Sequence, residues 1–295
     1  MTKTNLDAVL ARAESLLQRL EQFLPAVPPA PDFNQAIAFR WRKANGRGAL
    51  LTVARPHAIR LSDLHGIDEQ KQTVEQNTRQ FVERLPANNV LLTGARGTGK
   101  SSLVKALLNK YASKGLRLIE VEKQDLVDLP DIVELIANRP ERYIVYCDDL
   151  SFDADEPGYK ALKVVLDGTV AAQSENVLVY ATSNRRHLMP EYMSDNLDTK
   201  HVGDEIHPSE AVEEKVSLSE RFGLWLSFYP FDQDDYLRIV THWVEALQLA
   251  PSDANEVRAA ALVWALRRGS RSGRAAYQFA RDYAGRSARR RKPAR

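Results

Sequence analysis

The chain has 295 residues, of which 44% are hydrophobic and 27% are charged, and its formal net charge at pH 7 is +2. These values describe an ordinary folded protein of one or two domains. Cys147 is the only cysteine, which excludes a disulfide framework and favours a reducing compartment. No apolar run approaches the roughly 20 residues of a membrane span, and charged residues interrupt the N-terminal segment where a signal peptide would be apolar. We therefore expect a cytoplasmic protein without membrane contact.

Residues 1–32 form the first predicted unit, an amphipathic helix followed by a stiff linker. Apolar residues recur at helical spacing between residues 5 and 24, and a cluster of prolines between residues 25 and 31 ends this pattern. The apolar face of the helix either packs on the rest of the chain or contacts a partner or a neighbouring subunit.

Residues 33–59 have an irregular pattern, with one predicted strand at 50–53. Within this segment, aromatic and basic side chains are interleaved in the sequence Phe39-Arg40-Trp41-Arg42-Lys43. Such a segment can bind a nucleic acid through stacking and charge. The alternative, which we favour, is a solvated helix whose aromatic rings turn inward.

From residue 61 onward, predicted strands and helices alternate. Short apolar runs predict strands, and apolar residues every three or four positions predict helices. The predicted strands are 89–93, 116–121, 143–147, 177–181 and 224–228, and the predicted helices are 68–84, 102–111, 131–138 and 159–172. This order predicts an α/β domain at residues 33–230, with a five-stranded, mostly parallel sheet covered by helices on both faces.

Beyond residue 230 only helices are predicted, at 234–247, 253–267 and 274–283. They predict a small helical domain, or lid, at residues 231–285. The last ten residues, 286–295, are rich in arginine and contain no acid. A basic block of this kind is typically disordered, and it either stays a solvated tail or attracts the phosphates of a nucleic acid.

The most informative motif is the loop Gly94-Ala95-Arg96-Gly97-Thr98-Gly99-Lys100-Ser101. It satisfies G-x-x-x-x-G-K-[ST] and lies between a predicted strand and a predicted helix, as a phosphate-binding loop requires. The backbone N–H groups of such a loop and the N-terminus of the following helix attract phosphates. Lys100 would reach the β- and γ-phosphates, and the Ser101 hydroxyl would ligate Mg²⁺. The loop therefore predicts binding of a nucleoside triphosphate.

Polar residues follow two of the predicted strands. Asp148 and Asp149 end the strand at 143–147, and Asn184 follows the strand at 177–181. In a sheet of this type, ligands bind beyond the carboxyl ends of the strands. We expect Asp148 to hold the metal through water and Asp149 to orient or deprotonate the attacking water. Asn184 would hydrogen-bond the γ-phosphate or that water. Simple turn formation is the alternative for these residues.

Two arginines are candidates for completing the site. Arg221 precedes the last predicted strand, and many ATPases receive such an arginine from another subunit. A surface ion pair is its ordinary alternative role. Arg274 starts a predicted helix and could return to the γ-phosphate, coupling the position of the helical domain to the nucleotide state. Arg271 is the weaker candidate in the same segment.

Together these elements resemble the AAA+ ATPases. In chain order they match Walker A at residues 94–101, Walker B at Asp148 and Asp149, sensor 1 at Asn184, the arginine finger at Arg221 and sensor 2 at Arg274. Residues 61–67 resemble the segment that seats adenine in this superfamily, with Gly66 and Ile67 against the base. Residues 66–103, 148–152, 181–188 and 218–233 are similar to a bacterial family of predicted AAA+ ATPases without an assigned biological role.

The resemblance implies ATP and Mg²⁺ as cofactors and an ATP-dependent homo-oligomer. It leaves three functions open: an ATPase that remodels or assembles a protein partner, a slow nucleotide switch that acts as an interaction platform, and a nucleic-acid-associated ATPase similar to helicase loaders. The ATPase is our first hypothesis, but one departure makes the choice between it and the slow switch close, because Asp149 stands where most of the superfamily has Glu. The long acidic segment 189–215 between sensor and finger predicts a mobile loop.

Overall fold

The central element of the fold is a seven-stranded sheet. The computed structural model describes residues 9–16, 31–44, 47–152, 156–167, 174–185, 200–202, 205–207, 218–247 and 253–291. The strands of the sheet are β1 (Ala38–Ala44), β2 (Arg47–Thr52), β3 (Val90–Gly94), β4 (Leu116–Glu120), β5 (Arg142–Cys147), β6 (Val177–Ser183) and β9 (Leu224–Phe228). They lie side by side in the order β2-β1-β4-β5-β6-β3-β9. β7 (Lys200–Val202) and β8 (Glu205–His207) form a separate antiparallel pair.

The prediction of five strands is wrong, because a hairpin extends the sheet at one edge. β1 pairs antiparallel with β2 and parallel with β4, whereas the five strands from β4 to β9 are all parallel. The predicted α/β class and the parallel core of the sheet are therefore confirmed. The hairpin was predicted only in part, because β2 overlaps the strand expected at 50–53, whereas a helix was favoured for residues 39–43 of β1.

Strand β1 also replaces the helix that we favoured for residues 39–43. Phe39 and Trp41 are buried, so the rings do turn inward, but in a strand rather than a helix. The basic side chains between them are paired with acids near β4, in the ion pairs Arg40–Glu120 at 2.6 Å, Arg42–Glu122 at 2.8 Å and Lys43–Asp128 at 2.7 Å. Buried rings cannot stack on bases, which rules out the nucleic-acid contact proposed for this segment.

Helices cover both faces of the sheet. The described helices are α1 (residues 9–16), α2 (Asp68–Val82), α3 (Lys100–Tyr111), α4 (Leu129–Ile136), α5 (Pro157–Asp167), α6 (Gln233–Ala246), α7 (Ala254–Arg268) and α8 (Gly273–Arg291). One buried cluster joins one sheet face to α2, α3 and the three C-terminal helices, and a second joins the opposite face to α4 and α5. Adjacent residues of β5 illustrate the alternation, since Ile144 belongs to the first cluster and Val145 to the second.

The C-terminal helices pack closely on one another. The Tyr236 hydroxyl in α6 donates to the Ala261 carbonyl in α7 at 3.1 Å, and Trp264 in α7 meets Phe279 in α8 edge-on. α8 continues to Arg291, so the first part of the basic tail is helical rather than disordered. The division into domains at residues 32, 230 and 285 stays a prediction.

Two predictions fall largely outside the described residues. Of the helix predicted at 5–24, α1 is described, with Val9, Leu10 and Leu16 exposed. Of the segment 189–215, only the β7–β8 pair is described. The prediction of a loop for this segment did not include these two strands. Within the described ranges, every helix is too short or too polar to cross a membrane.

Candidate nucleotide-binding site

A cleft of about 770 Å³ opens where β3, β5 and β6 end. Small-molecule sites commonly have volumes of about 300–1,000 Å³. One end, which we call the loop end, is lined by Arg96, Gly97, Thr98, Gly99, Lys100, Ser101, Asp148, Asp149, Thr182 and Asn184. The other, which we call the aromatic end, is lined by His57, Ile59, Asp63, Leu64, His65, Ile67, Phe231, Ile239, Trp243 and Tyr277. Parallel strands therefore bring most of the predicted site residues to one place.

Glycines shape the loop between β3 and α3 because other chain segments approach it closely. Gly94 has a φ of +125°, and a Cβ there would lie 2.0 Å from the Phe228 carbonyl oxygen. Gly97 has a φ of +75°, and its Cβ would lie 2.7 Å from the Ser272 Cβ just before α8. Larger residues at these positions would displace β9 or α8 from the loop.

The Lys100 ammonium lies over the loop and reaches the end of β6. It donates to the Gly94 carbonyl at 2.6 Å, the Ala95 carbonyl at 2.8 Å and the Asn184 side-chain oxygen at 3.2 Å. Burial lowers the pKa of Lys100, and the nearby carboxylates partly oppose this shift. The structure thus joins the predicted phosphate-binding lysine directly to the predicted sensor asparagine.

Asp148 is the member of the acid pair that is held by hydroxyl groups. Its Oδ1 accepts from the Ser101 hydroxyl at 2.8 Å and from the Thr182 hydroxyl at 2.5 Å. Burial alone would raise the pKa of Asp148, but the surrounding hydroxyl groups outweigh it and keep the pKa below its ordinary value. Thr182 was missed in the sequence. The pairing of Cys147 with Ala181 sets the next residues, Asp148 and Thr182, side by side.

Asp149 has a different environment, because its side chain is more than half exposed to the cleft. Its backbone lies in the left-handed region with a φ of +54°, and its N–H donates to the Thr182 hydroxyl at 2.9 Å. The Asn184 amide donates to its carboxylate, and an Arg96 nitrogen lies 3.9 Å from the other oxygen. One asparagine therefore contacts both Lys100 and Asp149.

Mg²⁺ is usually held by one or two protein oxygens, with water and phosphate filling the other positions. Ser101 and Asp148 supply such a pair, with their oxygens 2.8 Å apart beside the loop. Among the described residues there is no cluster of three or more His, Cys, Asp or Glu that could hold a metal. The residues present fit a metal that is bound jointly with a phosphate.

Gly66 and Ile67 lie where the chain enters α2. Gly66 has a φ of +73°, and its Cβ would lie 3.0 Å from the Phe231 ring. Ile67 is buried, and its Cδ1 lies 3.3 Å from the position that a Cβ would take if Gly99 had a side chain. Ile67 therefore joins the aromatic end to the phosphate-binding loop, whereas Gly66 lies behind the surface of the cleft.

The rings of the aromatic end come from separate helices. Trp243 in α6 and Tyr277 in α8 meet edge-on, with ring centroids 4.7 Å apart. The ring centroids of His65 and His242 are 4.6 Å apart, and the His242 Nε2 lies 3.2 Å from a carboxylate oxygen of Asp63. Burial lowers the pKa of His65, and the neighbouring His242 adds to the shift. Asp63 and His65 lie in the segment 61–67 that the sequence indicated, whereas His242, Trp243 and Tyr277 were not predicted, because no local motif relates them to it.

Arg274 lies in the first turn of α8, beside the loop. Its Cβ is 3.6 Å from the position of a Cβ on Gly97, and the Gly273 N–H donates to the Gly97 carbonyl at 2.9 Å. Arg274 thus lines the cleft, whereas Arg271 is exposed and is not part of its lining.

Arg221 lies outside the cleft of its own chain. Its Nε donates to Asp167, at the end of α5, at 2.6 Å. The residues expected to act within one chain are therefore brought together, whereas the expected arginine finger is separate from them.

The model of a protein family described as "Protein of unknown function (DUF815)" matches residues 34–287. Over 183 residues the chain is 25% identical to a 26S proteasome regulatory subunit 4 homolog from Schizosaccharomyces pombe. That alignment covers 52% of this chain and 40% of the other, so the chain spans less than half the length of this relative.

Two solved structures superpose on much of this chain. The FIGL-1 AAA domain in complex with ADP superposes with a TM-score of 0.51 at 16% identity, over 80% of this chain and 76% of that one. A RuvB mutant from Thermotoga maritima superposes with a TM-score of 0.49 at 11% identity, over 75% of this chain and 63% of that one. At such identities the likeness to FIGL-1 establishes an AAA fold and nothing finer.

Proposed function

We propose that this chain, which belongs to the DUF815 family of proteins of unknown function, binds ATP with Mg²⁺ and hydrolyses it. The chain is an AAA+ protein, as its motifs predicted. The observation that carries the proposal is the meeting of four groups in one cleft: Lys100 bonds to Asn184 at 3.2 Å, and Ser101 bonds to Asp148 at 2.8 Å. No single one of these contacts requires a nucleotide, but together they match the needs of a triphosphate and its metal.

The loop end suits a triphosphate in both charge and shape. Lys100 would exchange its bonds to the loop carbonyls for the β- and γ-phosphate oxygens, while Ser101 and Asp148 would hold Mg²⁺. The metal, when bound, would neutralise part of the phosphate charge. The aromatic end would receive adenine against Ile67, and Arg274 would approach the γ-phosphate from α8.

Hydrolysis would depend on Asp149 and Asn184. Asp149 faces the cleft and accepts from Asn184, which also contacts Lys100. We assign Asp149 to orienting or deprotonating the attacking water, and Asn184 to linking that water with the γ-phosphate. A slow switch is the second candidate function, because the Asp149 carboxylate is one methylene shorter than the usual glutamate and is already bonded to Asn184.

Arg221 supports action in an oligomer. Since it lies outside its own cleft, we assign it to the site of a neighbouring copy of the chain. The macromolecule that such an oligomer remodels or assembles is an unidentified protein partner in this proposal. A nucleic-acid contact through the basic tail stays a prediction; Arg286, its first arginine, is paired with Asp282.

The test measures ATP affinity by calorimetry, ATP turnover, and oligomer size with and without ATP. Arg221→Ala should bind ATP normally, hydrolyse it slowly and lose the ATP-dependent oligomer, whereas Arg55→Ala, at an exposed arginine outside the cleft, should behave as wild type. Mixing Arg221→Ala with Lys100→Ala should restore partial activity through one intact shared site.

Each outcome decides between the candidate functions. Absence of ATP binding overturns the proposal as a whole. Tight binding with almost no turnover favours the slow switch over the remodelling ATPase. A protein that stays monomeric at all ATP concentrations, with no recovery in the mixture, removes the shared site.

A further inference from the structure

A buried tyrosine lies beneath the proposed metal-binding pair. Tyr146 in β5 precedes Asp148 by two residues, on the same face of the strand, and is fully buried. Among the described residues its hydroxyl has no partner in hydrogen-bonding geometry. The Ser101 and Thr182 hydroxyls and the Asp148 carboxylate nevertheless lie within hydrogen-bonding reach of it, without the alignment of a made bond. The phenol hydroxyl is a hydrogen-bond donor.

The neighbouring strand provides a direct contrast. Tyr180 in β6 pairs with Tyr146 in the sheet register and is also fully buried in the same cluster. Its hydroxyl is satisfied by α2, since it bonds to the Asn77 amide at 3.1 Å and the Thr78 hydroxyl at 2.9 Å. Two tyrosines with similar surroundings therefore differ in one respect, which is whether the fold itself provides a partner for the hydroxyl.

An unsatisfied buried hydroxyl is unfavourable. Leaving such a group without a partner costs about 1–3 kcal/mol, and phenylalanine would fill nearly the same volume without that cost. Packing alone therefore does not account for the Tyr146 hydroxyl. Two of the three polar groups beside it, Ser101 and Asp148, are the proposed protein ligands of the metal.

We propose that Tyr146 is a positioning residue for the Mg²⁺ site, whose hydroxyl donates to the Asp148–Ser101 pair when nucleotide and metal are bound. This inference rests on the proposed function. Partners of metal ligands commonly change metal affinity by about 10–100-fold when they are removed. Tyr146 would act in this way from below the site, by holding the Asp148 carboxylate in one orientation while Ser101 turns a lone pair toward the metal.

The test compares Tyr146→Phe with the matched control Tyr180→Phe. Binding of a non-hydrolysable ATP analogue is measured by calorimetry over a range of free Mg²⁺, and the melting temperature of the nucleotide-free protein is measured by calorimetric scanning. Tyr146→Phe should raise the half-saturating Mg²⁺ concentration about tenfold or more, with unchanged analogue affinity in EDTA and an unchanged or higher melting temperature. Tyr180→Phe should lower the melting temperature, because it removes two made hydrogen bonds, and leave the Mg²⁺ dependence unchanged.

The outcomes separate this inference from the proposed function. A wild-type protein that binds the analogue with clear Mg²⁺ dependence supports the proposed function, and unchanged dependence in Tyr146→Phe then overturns the inference alone. An equal loss of Mg²⁺ affinity in both variants also overturns it, since general packing would then be the cause. A wild-type protein that does not bind the analogue, or binds it equally without Mg²⁺, overturns both.

Discussion

At the loop end of the cleft, polar side chains form hydrogen bonds with one another. The aromatic end is instead lined by rings and aliphatic groups from three separate segments of the chain. Lys100, Asn184 and Asp149 form one connected set of directional contacts. Trp243 and Tyr277 meet only through packing between α6 and α8. Directional bonds fix the loop end closely, while the shape of the aromatic end depends on how the C-terminal helices sit. The two ends should therefore respond differently to substitution.

The largest expected effect is at the loop end, on removing the Lys100 ammonium. Charge-assisted hydrogen bonds contribute about 1.5–3 kcal/mol each, so losing two bonds to phosphate should weaken ATP binding by about 100-fold or more. Calorimetric titration of Lys100→Ala would measure this loss, with Lys114→Ala, an exposed lysine beyond α3, as the control. Unchanged affinity and unchanged turnover in Lys100→Ala would remove the phosphate-loop assignment.

The second prediction separates the two acids of the loop end. Asp149→Asn should keep ATP bound but lower turnover by about 10²–10⁴-fold, since it removes a group that accepts a proton or orients water. Asp148→Ala should instead weaken Mg²⁺-dependent binding, because it removes a proposed metal ligand. Steady-state turnover and calorimetry measured on both variants test this division. Wild-type turnover in Asp149→Asn would exclude a catalytic role for Asp149.

At the aromatic end a smaller and more selective effect is expected. Stacking of a base on an aromatic ring contributes about 1–3 kcal/mol, so Trp243→Ala should weaken ATP binding about tenfold while leaving the affinity for inorganic tripolyphosphate unchanged. Trp264→Ala, on α7 and outside the cleft, controls for general loss of packing. A parallel loss of tripolyphosphate affinity in Trp243→Ala would mean that the two ends are not independent.

The smallest expected effect is the pH dependence of the aromatic end. Burial and His242 lower the pKa of His65, Lys71 and Arg238 act in the same direction, and Asp68 opposes them. The folded chain therefore binds fewer protons at His65 than the unfolded chain, so this contribution is fully present well above pH 6.5 and is lost as the pH falls from that value through the lower pKa of the folded chain. His65→Gln should flatten the fall in melting temperature between about pH 7 and pH 5. The exposed His57→Gln should not, and equal profiles for both would exclude His65 as the cause.

Sequence patterns predicted the loop end well because its parts are local. Residues 94–101 form one continuous motif, and Asp148 and Asn184 each follow an apolar run that becomes a strand of the parallel sheet. Adjacent parallel strands end at the same edge, which suffices to bring these groups together. In the edge hairpin, β2 overlaps the strand predicted at 50–53, but β1 escaped prediction because its place in the sheet depends on pairing with β4, which is remote in the sequence.

The amino-acid order by itself determined the phosphate-binding loop, the five parallel strands and the positions of most predicted site residues along the chain. Only the tertiary structure decided which side chains share a hydrogen bond or a wall of the cleft. Thr182 meets Asp148 through the register of β5 and β6, and Trp243 meets Tyr277 through helix packing. The Tyr146 hydroxyl lacks an aligned hydrogen-bond partner, whereas the Tyr180 hydroxyl has two. Such contacts depend on distances between segments that are remote in the sequence, and local periodicity carries no information about those distances.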